Sequence, residues 1–128
     1  MLSVRIARLA IIALLVSAPV AHAETPAQRW HRMTSELDFL GTHDGFLYWF
    51  GAMAYQSQAC AAPLPEAAID ALARRAGVGK AEVAKEGPGS PFAEGYQDAI
   101  LSAKREGLDT ACAKYRAHIE EMREKGLL

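Results

Sequence analysis

The residues of this sequence best able to do chemistry are its histidines and the acid beside one of them. His31, His43 and His118 follow an apolar leader, and His43 is joined directly to Asp44. Imidazole beside carboxylate is a fragment of an acid–base site, because the ring changes charge near neutral pH. A metal held on one helix face needs ligands at i and i+4, and no H-x-x-x-H pair occurs. Met33 and Met53 would suit a copper site with histidine, but methionine at helical spacing is more often core filler. Asp44 stands at an expected helix start, where capping accounts for it.

No serine sits in a G-x-S-x-G setting, and Gly89-Ser90-Pro91 reads as a loop followed by a cap. Glu36 and Asp38 are two apart on a helix and do not face each other. Glu120 to Lys125 is a solvated run supported by i,i+4 pairing. The expectation is therefore no enzyme, no metal and no cofactor. A small enzyme or metal carrier using His31, His43 and Asp44 is the alternative from another class.

Cys60 and Cys112 are the only cysteines. There is no C-x-x-C and no C-x-x-C-H, which argues against redox catalysis and covalent haem. In an oxidising compartment an even pair reads as a disulfide. Closing a loop of about fifty residues contributes roughly 4 kcal/mol in the chain-entropy account.

The strongest remaining signal is aromatic: Phe46-Leu47-Tyr48-Trp49-Phe50, followed by Tyr55. Consecutive helical positions point about 100° apart, so a small bundle has difficulty enclosing all of them. Core packing explains most of the run. The functional reading places some of Tyr48, Trp49 and Tyr55, with Phe46 beside them, at the surface as a patch or groove for a protein partner or an apolar ligand.

The elements that must position these residues read as helices. The leader comes first: Arg5 and Arg8 without acids, the apolar run Leu9–Val16, and small residues at Ala21 and Ala23. That is the pattern of a secretory signal peptide, with cleavage expected after Ala23. The short basic region suits a bacterium and the periplasm. No cysteine follows the cleavage site to carry a lipid, and no second long apolar run is visible.

Removing the leader leaves about 105 residues, with 12 basic against 15 acidic side chains. That is one small, mildly acidic domain, a poor candidate for nucleic acid or anionic lipid.

Thr25, Pro26 and Gln28 open a first helix carrying Trp30, Met33, Leu37 and Leu40. Gly41-Thr42 is a break or a kink, and Thr42 or Asp44 caps a central helix from Asp44 to Cys60. A third helix opens at Pro65-Glu66, carries Ile69, Leu72 and Ala76, and stops at Gly77. A short piece spans Lys80 to Lys85. Ser90 caps a fourth helix with Phe92, Tyr96, Ala99, Ile100 and Ala103 inward. Asp109 or Thr110 caps the last, with Cys112, Tyr115, Ile119 and Met122 inward and Gly126 after it. Gly51 and Gly95, each mid-helix beside an aromatic, suggest a close helix crossing, since mid-helix glycine costs about 1 kcal/mol against alanine; solvent-facing glycine without a role is the alternative.

The expected architecture is an all-α bundle of four to five helices, one domain over 24–128, stapled by Cys60–Cys112 after a signal peptide at 1–23. It is similar in a general way to acid-stress periplasmic chaperones and to immunity proteins, with no motif that assigns it to either. The expected function is an exported, periplasmic or secreted, non-enzymatic binding module, without nucleic-acid binding or stable membrane insertion. A stress-responsive chaperone is the alternative within binding.

Overall fold

The computed structural model describes residues 24–35, 40–84 and 87–128. The expectations placed on the leader 1–23 and on Glu36, Leu37, Asp38 and Lys85 lie outside those residues. The described chain forms six helices: α1 Pro26–Ser35, α2 His43–Ala59, α3 Glu66–Ala76, α4 Lys80–Ala84, α5 Pro91–Glu106 and α6 Leu108–Glu124. None is long and apolar enough to cross a membrane.

Local signals set most of the boundaries. The Thr25 backbone N–H donates to Gln28 Oε1 at 2.9 Å, and the Gln28 backbone N–H returns a bond to Thr25 Oγ1 at 3.2 Å. This reciprocal pair satisfies two of the donors that a helix start leaves free. At α2 the cap is Thr42, whose hydroxyl accepts from the Gly45 N–H at 3.1 Å. Thr42 is extended, with φ −103° and ψ 150°, so the chain breaks at Gly41-Thr42. Ser90 caps α5 through the Ala93 N–H at 3.2 Å.

Gly77 closes α3 at φ 71°, a left-handed conformation that suits glycine. It brings the Val78 N–H back to the Ala73 carbonyl at 2.9 Å and turns Val78 into the core.

Two expectations need correction. Neither Asp109 nor Thr110 caps α6. Gly107, at φ 89°, ends α5 and starts α6 by itself, without a side-chain cap. The positive φ turns the chain within one residue, so α6 begins earlier, at Leu108, with Asp109 inside its first turn, where its charge suits the helix dipole. The inward face of α5 is also rotated. Gly95, Asp98, Ala99, Ser102 and Ala103 are buried, while Phe92, Tyr96 and Ile100 are half-buried.

The rotation follows from the α2–α5 crossing, the most extensive helix packing among the described residues. A Cβ on Gly51 would overlap the Phe92 carbonyl, and one on Gly95 would overlap the Tyr48 carbonyl. The two glycines thus face each other's helix three residues apart, and the antiparallel backbones touch. Only glycine permits that approach.

Around the crossing Phe46, Leu47, Trp49, Met53, Leu72, Ala99, Tyr115, Ile119 and Met122 form one core. The Phe46 and Phe50 rings stack at 5.7 Å, and Phe50 meets Phe92 edge-on at 5.6 Å. Cys60, at the end of α2, bonds Cys112 in the second turn of α6, with Cα atoms 5.5 Å apart. The bridge joins α6 to the central helix directly.

Candidate functional site

The crossing decides where the aromatic run points. Tyr48 and Trp49 are buried, at 3 % and 6 % exposure, and so is Phe46 at 1 %. Tyr55 is half-buried, with its ring edge-on to Tyr96 at 5.6 Å. Tyr48 and Trp49 do not reach the surface because each has found a polar partner inside.

The Tyr48 hydroxyl donates to Asp98 Oδ2 at 2.7 Å. Arg29 of α1 meets the same carboxylate with Nε at 2.7 Å and its terminal nitrogen at 2.9 Å. Asp98 is 1 % exposed. Burial, and then the bond to Asp98, push the Tyr48 hydroxyl far above its usual range. The bond to Asp98 likewise holds the Arg29 guanidinium above its own. This triad fastens α1 across α2 and α5, since α1 has no fully buried residue. It is satisfied and closed, and its role is structural.

The Trp49 indole N–H donates to His118 Nε2 at 3.0 Å. Burial holds the His118 imidazole below its ordinary value. With Nε2 accepting from the indole N–H, the imidazole carries its proton on Nδ1.

His43 and Asp44 do come together, and with a third group. His43 Nδ1 lies 2.9 Å from Asp44 Oδ1, and Nε2 lies 2.8 Å from Glu82 Oε2 on α4. The bonds to Asp44 and Glu82 raise the ring above its ordinary value. All three groups are exposed. This is an ion-pair tether between α4 and the start of α2. His31 is exposed on α1. Among the described residues no three His, Cys, Asp or Glu side chains are arranged to hold a metal ion.

Apolar side chains of three helices also line a concavity. A cleft of about 210 Å3 opens between α2, α3 and α4, lined by Phe46, Phe50, Ile69, Ala73 and Val83, with Gly79 and Asp70 at its edges. Phe46 and Phe50 are one turn apart and form its floor. Ile69 and Ala73 repeat that spacing on α3. The third side is α4, only five residues long. So short a helix has little stability of its own and depends on its contacts. Val83 packs against the core, and His43 pairs with Glu82.

Of the candidate binding residues the sequence offers, Phe46 lines this cleft; Phe50 and Ile69 belong to helical ladders that read as packing, and Ala73 and Val83 carry no sequence signal of their own. The signal that could have found them is the matching i, i+4 apolar pairs on α2 and α3 beside a helix too short to cover them. No protein-family model, curated protein or solved structure matches this chain.

Proposed function

We propose that this chain is an exported, non-enzymatic binding module, periplasmic or secreted, that holds a small apolar ligand in the cleft floored by Phe46 and Phe50. The observation that carries the reading is the cleft itself: every lining residue but Asp70 is apolar. Its volume suits a single ring or a short alkyl chain, since a dry cavity of about 150 Å3 takes up benzene. The leader at 1–23 and the Cys60–Cys112 bridge support export into an oxidising compartment.

A small ligand is favoured over a protein partner by the rest of the surface. Among the described residues the one large apolar side chain that is exposed is Leu108, at 47 %. A protein interface of ordinary size needs a larger apolar centre than that. The chaperone alternative requires apolar surface released under acid stress. The His43–Glu82 tether is strongest with His43 protonated, so this device loosens toward high pH instead. An enzyme or metal carrier built on His31, His43 and Asp44 has less support, because His43 and Asp44 are engaged with each other and with Glu82.

The test is calorimetric titration of the disulfide-bonded protein with hexan-1-ol and toluene. Saturable binding with a negative heat-capacity change is expected. Ala73→Phe fills the cleft from α3 and should abolish binding while leaving a cooperative melt. Absence of binding, or binding undiminished by Ala73→Phe, contradicts the reading.

A further inference from the structure

A second cavity shares no lining residue with the apolar cleft and differs from it in chemistry. It holds about 300 Å3 between α1, α2 and α6. Trp30 and Tyr115 give it flat aromatic walls and Met53 a soft one. Trp30 belongs to α1, the helix docked through the Arg29–Asp98 bridge, so the cavity is roofed by an element with no fully buried residue of its own.

Gln56 lines this cavity and is 7 % exposed. Among the described residues its side-chain amide makes no hydrogen bond, although its backbone carbonyl accepts from the Cys60 N–H at 2.8 Å. Buried amides are nearly always paired, because leaving one unpaired forfeits the hydrogen bonds it made to water. An amide on a cavity wall with no partner in the protein is open to pairing with water, or with a ligand that enters and displaces it.

The other polar groups narrow the class. His118 has given Nε2 to the Trp49 indole and has the Nδ1 proton left to donate. At the rim, Lys114 is engaged by Glu106 at 2.6 Å and Glu121 by Lys125 at 2.9 Å. No charge in the lining awaits a counter-charge, so a charged ligand would lose its hydration without recovering it. A primary amide such as Gln56 presents its carbonyl oxygen and one of its two N–H donors side by side. Its complement is another amide, presenting carbonyl and N–H in the opposite order, on a ring flat enough to lie against Trp30.

We infer that this cavity is a binding site for a small uncharged ring compound bearing a carboxamide or lactam, paired through two hydrogen bonds to the Gln56 side chain. The inference is independent of the apolar cleft, whose occupants have no need of a polar group.

The probes are benzamide and methyl benzoate, which share ring and carbonyl but differ in the N–H. Each is titrated into the disulfide-bonded protein while the Met53 methyl resonance is followed. Benzamide should shift that resonance saturably, and methyl benzoate should bind at least tenfold more weakly. Gln56→Met keeps the volume and removes the pairing. It should weaken benzamide by at least tenfold and melt at or above the wild-type temperature, because no protein hydrogen bond is lost. No saturable shift with benzamide, equal affinity for both probes, or benzamide binding undiminished in Gln56→Met would each overturn the inference. The two-probe comparison on the wild-type protein stands whether or not the variant folds.

Discussion

Gly51 of α2 and Phe92 of α5 touch through their backbones: a Cβ at position 51 would overlap the Phe92 carbonyl oxygen. Backbone cannot rotate away as a flexible side chain can, so the two helices would have to separate. Gly51→Ala should therefore destabilise even though alanine gains about 1 kcal/mol in helix propensity. Overpacking of this kind costs about 1–3 kcal/mol, and Gly51→Leu should reach the top of that range or pass it. Urea denaturation measures both. A variant as stable as the wild type would mean that the crossing is looser than described.

Arg29→Ala should cost more than most substitutions at a position that is itself partly exposed. It leaves Asp98, 1 % exposed, with only the Tyr48 hydroxyl as partner. Stranding a buried charge costs about 3–5 kcal/mol. Asp98→Asn, which keeps an acceptor for Tyr48 and leaves Arg29 access to water, should cost less. Denaturation midpoints of the two variants decide it, and the reverse order would contradict the account of how α1 is fastened.

Much of the fold was legible because its determinants are local. Thr25 with Gln28, Thr42, Ser90 and Gly77 act within a few residues of where they stand, and they set helix ends as their types implied. Gly51 and Gly95 announced a crossing because glycine inside a helix needs a reason. Asp98 gave no such sign. It sits between Gln97 and Ala99 like any solvated acid, and its burial depends on Arg29 and Tyr48, 69 and 50 residues away. The link from Trp49 to His118 spans 69 residues and was equally hidden. Helical periodicity says which side chains share a face but not how many neighbours cover it. That is why Tyr48 and Trp49 read as candidates for the surface and stand inside. The cleft needs α4 as its wall, and nothing local to α4 says which helix it will lie against.

Two histidines should bend the pH dependence of stability in opposite directions. His118 is held below its ordinary value by burial. The unfolded chain takes up that proton near pH 6.5. Stability is thus intact above that point and declines as pH falls through it toward the folded value. His43 is held above its ordinary value by Asp44 and Glu82. Its contribution is complete below about pH 6.5 and is lost as pH rises through the folded value. It is small, because the ring is half exposed and solvent screens the pair. Urea midpoints across pH should show a flatter acid limb for His118→Gln and a flatter neutral-to-alkaline limb for His43→Gln. Curves parallel to wild type would contradict the assignments.

Cys60→Ser with Cys112→Ser removes the link between the end of α2 and the start of α6, 52 residues apart in sequence. Loss of a native bridge from a small domain typically costs about 2–5 kcal/mol. Thermal unfolding with and without reductant should reproduce that loss in the wild type and show no effect of reductant on the double variant. A reductant-insensitive wild type would mean that the bridge adds nothing to stability.

The most direct test of the account is whether the cleft over Phe46 and Phe50 takes an apolar molecule. Ile69 and Val83 line it from α3 and α4. Their methyl resonances can be followed by NMR as toluene is added to the disulfide-bonded protein. Saturable, concerted shifts of the Ile69 and Val83 methyls are expected, absent in Ala73→Phe. Methyls that do not move, or that move linearly without saturation in both proteins, would contradict it.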